Sequence, residues 1–361
     1  MQFSHYTHER NWGCRISDEF AYRGMRLLVM ENELVRITIL LDKGTDIYEF
    51  LHKPSDTDFM WRTPRGVRNP EKALDMIASG VGPFSDFYEG GWQECLPNGG
   101  RVCTYKGVEM GLHGEVWGVP WHCRIVQDEP EVVAASTWVR TNRTPFLLEK
   151  TFTLRAGSGV LEIDETLTNE GQEPMDLMWG HHPALGQRFI ERDCRIDCAA
   201  RTVVVDPNVV EQCRFAPDQR FEWPVGTGRD ASPVDVSVVE GPDSRINDML
   251  YLTDLEDGWW AVTSQESRVG FGISFDLATF RHIWLWMPLG GSWGGPSFGR
   301  HYTLALEPFS SYPAILSNAI EAGTQLVMEP GEQRSAWLRA VAYDGIERVA
   351  GIDDDGRVTP A

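Results

Sequence analysis

Apolar and polar residues alternate along much of the chain, and short runs of turn residues separate the alternating segments. Near the N-terminus, Val35, Ile37 and Ile39 fall on one face of the chain and Arg36 falls on the other. This two-residue period is typical of a β-strand that is half buried. Together with the similar segments around it, the pattern predicts a β-meander over residues 25–52.

From residue 121 onward the same kind of segment recurs many times. The predicted strands cover residues 121–127, 132–140, 146–155, 160–168, 175–179, 202–205, 234–239, 249–252, 260–263, 269–275, 282–287, 302–308 and 325–329. Glycine, proline and asparagine lie between them, which is turn chemistry. So many short strands with few and short helices predict an all-β protein, a large antiparallel β-sandwich.

Three segments depart from this pattern. Residues 69–80 predict a short helix, because Asn69 is a suitable N-cap, Pro70 suits the first turn and Gly80 ends the segment. Residues 82–118 are irregular and rich in glycine and aromatic residues, which is typical of a binding loop rather than of disorder. We expect a single domain over residues 1–361, with a frayed acidic tail from about residue 350.

Composition narrows the function classes. The 361 residues carry a formal net charge of −20, which argues against a nucleic-acid or anionic-membrane partner. The seven cysteines form no Cys-x-x-Cys motif, and the first fifteen residues carry no apolar signal segment, so we expect a cytoplasmic protein. Fourteen tryptophans are an unusual number, and an indole face suits either core packing or the C–H face of a sugar.

Two adjacent histidines provide the first candidate for chemistry. His181 and His182 follow the apolar run 175–179, and Pro183 comes directly after them. We expect this proline to stop the chain from continuing as a helix or a paired strand. The imidazole would then be held rigidly with its tip accessible, where it can exchange a proton near neutral pH.

Two further residues stand out by their context. His113 has glycine on either side at positions 111 and 114, which lets another molecule approach the backbone. Glu307 lies near the end of an apolar strand, where partial desolvation would raise its pKa and make it a better base. An ordinary salt bridge with Arg300 is the alternative for Glu307, and a metal site built from these residues and the histidine pair is a minority interpretation.

The order of several short motifs resembles the aldose 1-epimerase, or galactose mutarotase-like, family from about residue 34 to residue 337. The matching motifs are Asn98-Gly99-Gly100, Leu112-His113-Gly114, His182-Pro183-Ala184-Leu185, Asp248-Met249-Leu250-Tyr251-Leu252 and Leu306-Glu307-Pro308, followed by Pro313-Ala314 and Asn318. Each motif alone is weak, and their common order carries the resemblance. It implies the large antiparallel β-sandwich of that family, which agrees with the strand pattern.

The resemblance also implies a set of site residues. His182 resembles the catalytic acid and Glu307 the catalytic base, while His113 and Asp248 resemble sugar-binding groups. Other residues expected near the sugar are Asn98, His181, Arg101, Trp117 and Trp286. The family's sugar-binding arginine has no clear counterpart, so Arg62 is a second nominee beside Arg101. This departure, and Ala184-Leu185-Gly186 in place of the usual aromatic-Phe-Asn-Leu stretch, indicates a divergent branch.

The implied activity is the interconversion of the anomers of a free or modified sugar by acid/base ring opening and closure. It needs no cofactor and no metal, and the expected partner is a small carbohydrate, with a homodimer as the oligomer to consider. Two alternatives stay open: a non-catalytic protein that binds or senses carbohydrate, and a metal-assisted sugar isomerase or lyase on the same fold.

Overall fold

Two large antiparallel sheets dominate the fold. The computed structural model describes residues 10–72, 82–186, 188–190 and 193–361. The strands are β1 (Arg15–Tyr22), β2 (Met25–Glu31), β3 (Val35–Leu40), β4 (Asp46–His52), β5 (Thr57–Asp58), β6 (Trp92–Cys95), β7 (Cys103–Tyr105), β8 (Val108–Met110), β9 (His122–Asp128), β10 (Val132–Arg140), β11 (Phe146–Arg155), β12 (Val160–Asn169), β13 (Met175–Leu177), β14 (Gly180–Leu185), β15 (Cys194–Cys198), β16 (Thr202–Val205), β17 (Arg220–Glu222), β18 (Val225–Thr227), β19 (Pro233–Asp235), β20 (Val238–Val239), β21 (Ile246–Thr253), β22 (Trp259–Thr263), β23 (Gly270–Phe275), β24 (His282–Leu289), β25 (Leu304–Phe309), β26 (Leu326–Met328), β27 (Gln333–Tyr343), β28 (Val349–Ile352) and β29 (Val358–Pro360).

Helices are few and short, as the sequence predicted. They are α1 (Gly82–Phe87), α2 (Leu316–Ala322) and the 3-10 turns Pro70–Lys72 and Pro242–Ser244. The helix predicted over residues 69–80 is therefore seen only as the first 3-10 turn, since residues 73–80 lie outside the described part of the chain. Among the described helices, none is long and apolar enough to cross a membrane.

The larger sheet has twelve strands, with β5 beside β4 and the others in the order β1-β2-β3-β4-β6-β14-β25-β24-β21-β16-β17. The second sheet has nine, in the order β20-β15-β22-β23-β27-β12-β11-β10-β9. Strands close in sequence are often neighbours, but β6, β14 and β25 come from distant segments. These three strands lie side by side in the middle of the larger sheet, where they hold the candidate site.

The main hydrophobic core lies between the two sheets. Because side chains alternate along a strand, each sheet contributes every second residue to this layer. Leu185 of β14 and Leu306 of β25 meet Ile163 of β12 and Leu338 of β27 in one buried cluster. The residues between them on β14 and β25 necessarily point to the outer face of the larger sheet.

Several local predictions were wrong. Pro183 does not stop strand pairing, because β14 runs through it from residue 180 to residue 185 between β6 and β25. The irregular segment 82–118 contains α1, β6 and the β7–β8 hairpin. The acidic tail is not frayed: β28 and β29 form a hairpin whose Val349 and Ile352 are buried against Trp259 and Tyr343.

Candidate active site

Strand β14 sends its two histidines to opposite faces of the larger sheet. His182 points outward, whereas His181 points into the layer between the sheets, as strand alternation requires. Strands β14 and β25 pair at Ala184 and Ala305, and counting two residues along each strand sets His182 opposite Glu307. Pro183 has no N–H to donate to this ladder, and the residue pairs of β14 and β25 lie on either side of the His182–Glu307 position.

His182 and Glu307 form a close pair in a nearly water-free position. Their Nε2 and Oε1 atoms are 3.8 Å apart, and the two residues are 4% and 2% exposed. No described residue makes a hydrogen bond to Nδ1 of His182, to Oε2 of Glu307 or to the buried hydroxyl of Tyr88, whose ring centroid lies 5.7 Å from that of His182. Buried polar atoms without partners are costly, so this cluster is suited to a ligand that supplies hydroxyl groups.

Burial favours the neutral form of both members of the pair. It lowers the pKa of His182 to about 4 and raises the pKa of Glu307 well above its ordinary value. Burial and the nearby Glu307 also raise the pKa of Tyr88. Both shifts favour a protonated Glu307 carboxyl group and a neutral His182 imidazole, which lie 3.8 Å apart.

His113 lies beside His182 with a fixed orientation. The two ring centroids are 5.0 Å apart, and burial, helped by the charge of His182, lowers the pKa of His113. The Sγ atom of Cys95 is 3.2 Å from Nδ1 of His113, and burial raises the pKa of this thiol. The thiol can donate to Nδ1, and in that arrangement neutral His113 carries its own proton on Nε2 and is a hydrogen-bond donor there.

A cavity of about 310 Å³ opens over these side chains. Its lining combines aromatic and apolar groups with hydroxyl, amide and charged groups, a mixture that suits a polyol with one apolar face. The lining residues are Thr63, Arg65, Phe84, Ser85, Tyr88, Gly100, Arg101, Leu112, His113, His182, Asp206, Asn208, Val209, Val210, Asn247, Met249, Trp284, Trp286, Ser292, Pro296, Ser297, His301, Glu307 and Ala314.

Comparison with known families now places the chain. Residues 22–340 match the family model described as a domain of unknown function, DUF4432. The chain belongs to the DUF4432 family. No curated protein matches it significantly.

Solved structures show what fold this DUF4432 protein shares. A candidate aldose 1-epimerase from Klebsiella pneumoniae superposes with a TM-score of 0.72 at 16% identity, over 92% of this chain and 83% of that one. A galactose mutarotase-like protein from Clostridium acetobutylicum gives 0.62 at 14% identity over 92% and 99%. A galactose mutarotase related enzyme from Lactobacillus acidophilus gives 0.58 at 16% identity over 88% and 97%. The predicted fold and the resemblance are thus confirmed, and the low identity agrees with a divergent branch.

Of the other nominated residues, Trp286 and Arg101 line the cavity of the DUF4432 protein. The Trp286 ring centroid is 5.3 Å from that of His182, close enough to stack on a ligand held by the pair. Arg101 lies at the rim, where it donates to the carbonyl of Asn208 at 3.2 Å and is 3.9 Å from Asp206. Arg62, the alternative arginine, is bound to Asp58 outside the cavity lining.

Asp248, nominated as a sugar-binding residue, does not line the cavity. Its carboxylate is fully buried and accepts hydrogen bonds from Nε of Arg214 at 2.7 Å and from the Arg214 backbone N–H at 2.8 Å. Alternation along β21 explains this position, because Asp248 is on the inner face. Its neighbours Asn247 and Met249 point outward and line the cavity.

Asn98 and Trp117 lie near the cavity but do not line it. The Asn98 amide donates to the carbonyls of Arg101 and Gly111, and its oxygen accepts from the backbone N–H of Leu316. It therefore ties together the loops that shape one wall. Trp117 is buried with its ring centroid 5.0 Å from that of Phe84, so it supports a lining residue rather than facing a sugar.

His181 belongs to a polar network between the two sheets and not to the cavity. Trp92 donates its indole N–H to Nδ1 of His181 at 3.2 Å, so the proton of His181 must lie on Nε2. That Nε2 is 3.1 Å from Glu165 of the opposite sheet. Because His181 faces away from His182, His113 and Glu307, these four residues cannot form the metal site that was considered as an alternative.

Among the described residues, one set of side chains has metal-ligand spacing: Glu94, Glu165 and His181. It lies in the core between the sheets, and the ammonium of Lys150 is 2.5 Å from Glu94. The positive charge of Lys150 therefore already compensates the negative charge of Glu94. The set therefore does not fit a metal ion as well as its spacing alone suggests.

Sequence analysis missed several lining residues. Tyr88 lies in the aromatic segment that was expected to bind a ligand, so that segment was the available signal. Asn247 could have been found from the alternation that excludes Asp248. Asp206, which accepts a hydrogen bond from the Tyr251 hydroxyl, and His301 gave no local signal, because only the fold brings them to the cavity.

Proposed function

We propose that this DUF4432 protein interconverts the α- and β-anomers of an aldose, as an aldose 1-epimerase. The observation that carries the proposal is the His182–Glu307 pair, which lies 3.8 Å apart on the floor of a cavity of sugar size and has hydrogen-bonding atoms without protein partners. A proton donor and a proton acceptor side by side are what ring opening requires. The shared fold of the named mutarotase-like proteins agrees with this proposal.

In the proposed reaction Glu307 takes the proton from the anomeric hydroxyl while His182 gives a proton to the ring oxygen. The bond between the anomeric carbon and the ring oxygen breaks, and the carbonyl group of the open-chain sugar forms. Rotation about the bond between C1 and C2 exposes the other face of the carbonyl group. Both proton transfers then run backwards, so the ring closes and the protein returns to its starting state.

This assignment needs a protonated His182 and a charged Glu307 when the cyclic sugar is bound, whereas burial alone favours the neutral form of both groups. Sugar hydroxyl groups supply hydrogen bonds to the charged carboxylate and imidazolium that the buried site itself lacks. Ligand binding therefore shifts the proton from the carboxyl to the imidazole across 3.8 Å. The proposed acid and base are adjacent on neighbouring strands.

Other side chains that line the cavity can bind the sugar in this proposal. His113 donates from Nε2 and the Tyr88 hydroxyl lies beside the pair, so both can bind the sugar hydroxyls nearest the anomeric carbon. Trp286 offers an apolar surface to the C–H face of the ring. These groups hold the anomeric carbon against the pair, which is a positioning contribution to the rate.

Polarimetry of freshly dissolved α-anomers tests the proposal, using neutral and acidic aldoses with spontaneous mutarotation as the baseline. The protein should accelerate equilibration of at least one sugar, and Glu307→Gln should reduce that acceleration by about 10²–10⁴-fold while the sugar still protects the variant from melting. Unchanged activity of Glu307→Gln would refute the base assignment.

The same panel separates the two alternatives. A sugar that raises the melting temperature but is never interconverted by the native protein favours a binding or sensing protein. Activity that disappears with a chelator and returns with a divalent cation favours a metal-assisted isomerase or lyase.

A further inference from the structure

One end of the cavity carries basic and hydroxyl groups that the proposed acid/base reaction does not use. Ser292, Ser297 and His301 line this end together with Arg65, and the exposed Arg300 directly precedes His301 in the chain. Arg65 and Arg300 are cationic, and His301 can donate a hydrogen bond. Such a concentration is unexpected in a protein whose net charge is −20.

A chain of hydrogen bonds fixes the orientation of His301. The Ser292 hydroxyl donates to Oγ of Ser297 at 3.1 Å, and Ser297 is 2.9 Å from Nδ1 of His301. Ser297 keeps its own proton and can donate it to Nδ1, and in that arrangement the His301 proton lies on Nε2. The ring is also held edge-on against Trp61 at a centroid distance of 4.8 Å, and no described residue bonds Nε2.

Arg65 has donor capacity that the protein leaves unused. Its nearest acidic partner is Asp86, at 3.8 Å from Nη1, which is longer than a hydrogen bond. Arg62, three residues earlier, differs in this respect because it binds Asp58 at 2.6 Å and lies over the Tyr48 ring. A guanidinium that lines a cavity without a hydrogen-bonded partner is suited to a planar or tetrahedral oxyanion.

The electrostatics of this end agree with its geometry. Burial, together with the positive charges of Arg65 and Arg300, lowers the pKa of His301 to about 4. His301 is therefore neutral and donates through Nε2, while the two arginines supply the positive charge. Asp86 is the carboxylate nearest to Arg65 among the described residues, and Glu307 belongs to the acid/base pair.

We propose that the substrate is an acidic aldose, and that its oxyanion group binds to Arg65 with a further hydrogen bond from His301. The oxyanion can be a phosphate, a sulfate or sulfonate, or a carboxylate, which share charged oxygen acceptors. The inference rests on the proposed function, which places the anomeric end of the sugar at His182 and Glu307. The acidic surface repels anions at long range, so the affinity has to come from these local contacts.

Binding is measured by calorimetry at low ionic strength with four probes: glucose, glucose 6-phosphate, glucuronate and inorganic phosphate. At least one charged sugar should bind about ten- to a hundredfold more tightly than glucose, because charge-assisted hydrogen bonds are strong. Preference for the phosphate ester over glucuronate, or the reverse, identifies the oxyanion. Equal or weaker binding of both charged sugars would overturn the inference.

Arg65→Gln and Arg62→Gln form a matched pair of variants. Arg65→Gln should abolish most of the preference for the charged sugar over glucose, whereas Arg62→Gln should preserve it. Loss of the preference in both variants, or in neither, would contradict a specific role for Arg65. Melting temperatures of the two variants identify a change that is only a folding defect.

Comparison with polarimetry separates this inference from the proposed function. Tight binding of a charged sugar without accelerated anomer exchange leaves the oxyanion site standing and removes the epimerase proposal. Accelerated anomer exchange of glucose, with no binding preference for the charged sugars, supports the epimerase proposal and removes the oxyanion site.

Discussion

His181 and His182 show how much the position of a residue in the fold decides its chemistry. The two adjacent side chains have their pKa values lowered to about 4 by the same cause, burial, yet one faces the cavity and the other the core. The sequence singled out the pair because of Pro183, but the predicted reason was wrong. Strand alternation, and not a rigid turn after a strand end, separates the two histidines.

The first prediction concerns the protonation of His182. In the free protein its imidazole should be neutral down to pH about 4. A saturating sugar should raise its pKa, because hydroxyl groups then solvate the imidazolium and the Glu307 carboxylate. The imidazole nitrogen shifts in ¹⁵N NMR titrations with and without sugar measure this change.

His181 is the internal control for that titration. It has the same lowered pKa, but Trp92 and Glu165 enclose it away from the cavity. Its resonance should not respond to the sugar. A sugar that leaves the pKa of His182 unchanged would contradict the proposed proton transfer from Glu307.

At the scale of elements, the site depends on three strands that are far apart in sequence. Strands β6, β14 and β25 supply Cys95, His182 and Glu307, and a polar network behind them joins the two sheets. The Glu94 carboxylate accepts from the Trp179 indole N–H at 2.7 Å and pairs with Lys150 of the second sheet at 2.5 Å. This bridge joins the larger sheet, from which His182 and Glu307 project, to the second sheet.

Removing one partner of that bridge should be strongly destabilising. Lys150→Met leaves a buried, unpaired charge on Glu94 and should lower the free energy of unfolding by about 3–5 kcal/mol. Adding Glu94→Gln removes that charge, so the double variant should recover part of the loss. Urea denaturation followed by tryptophan fluorescence measures both variants.

A surface ion pair provides the reference for this experiment. Arg155 and Glu162 lie 2.6 Å apart on neighbouring strands, but the arginine is more than half exposed. Arg155→Met should change the stability by about 1 kcal/mol or less. Equal losses for Lys150→Met and Arg155→Met would mean that the bridge between the sheets has no special role.

The sequence predicted strand bounds correctly where apolar and polar residues alternate regularly. Strands β10 and β11 and the strand at residues 202–205 have the predicted bounds. The eleven-residue strand β27 was missed, because Arg334 and Arg339 interrupt an alanine-containing segment that lacks a clear period. Strand β14 was missed because a proline inside a paired strand is uncommon.

At the scale of the whole molecule, the cavity collects residues from segments spread over more than two hundred positions. Sequence order could nominate His113, His182 and Glu307, since each lies in a short motif. It could not exclude Asp248 or include Tyr88, since both depend on which face of an element meets the cavity. The family resemblance therefore predicted the fold and nominated His182 and Glu307, and the three-dimensional arrangement was needed for the rest of the candidate site.

The central claim is that His182 and Glu307 act as one acid/base unit. The most direct test is a double-mutant cycle on the rate of anomer exchange, measured by NMR magnetisation transfer with the sugar that polarimetry selects. His182→Gln and Glu307→Gln should each slow the catalysed exchange by about 10²–10⁴-fold. The double variant should be little slower than the slower single variant, because either change disables the whole unit. Losses that multiply in the double variant, or a single variant that retains the native rate, would contradict the account.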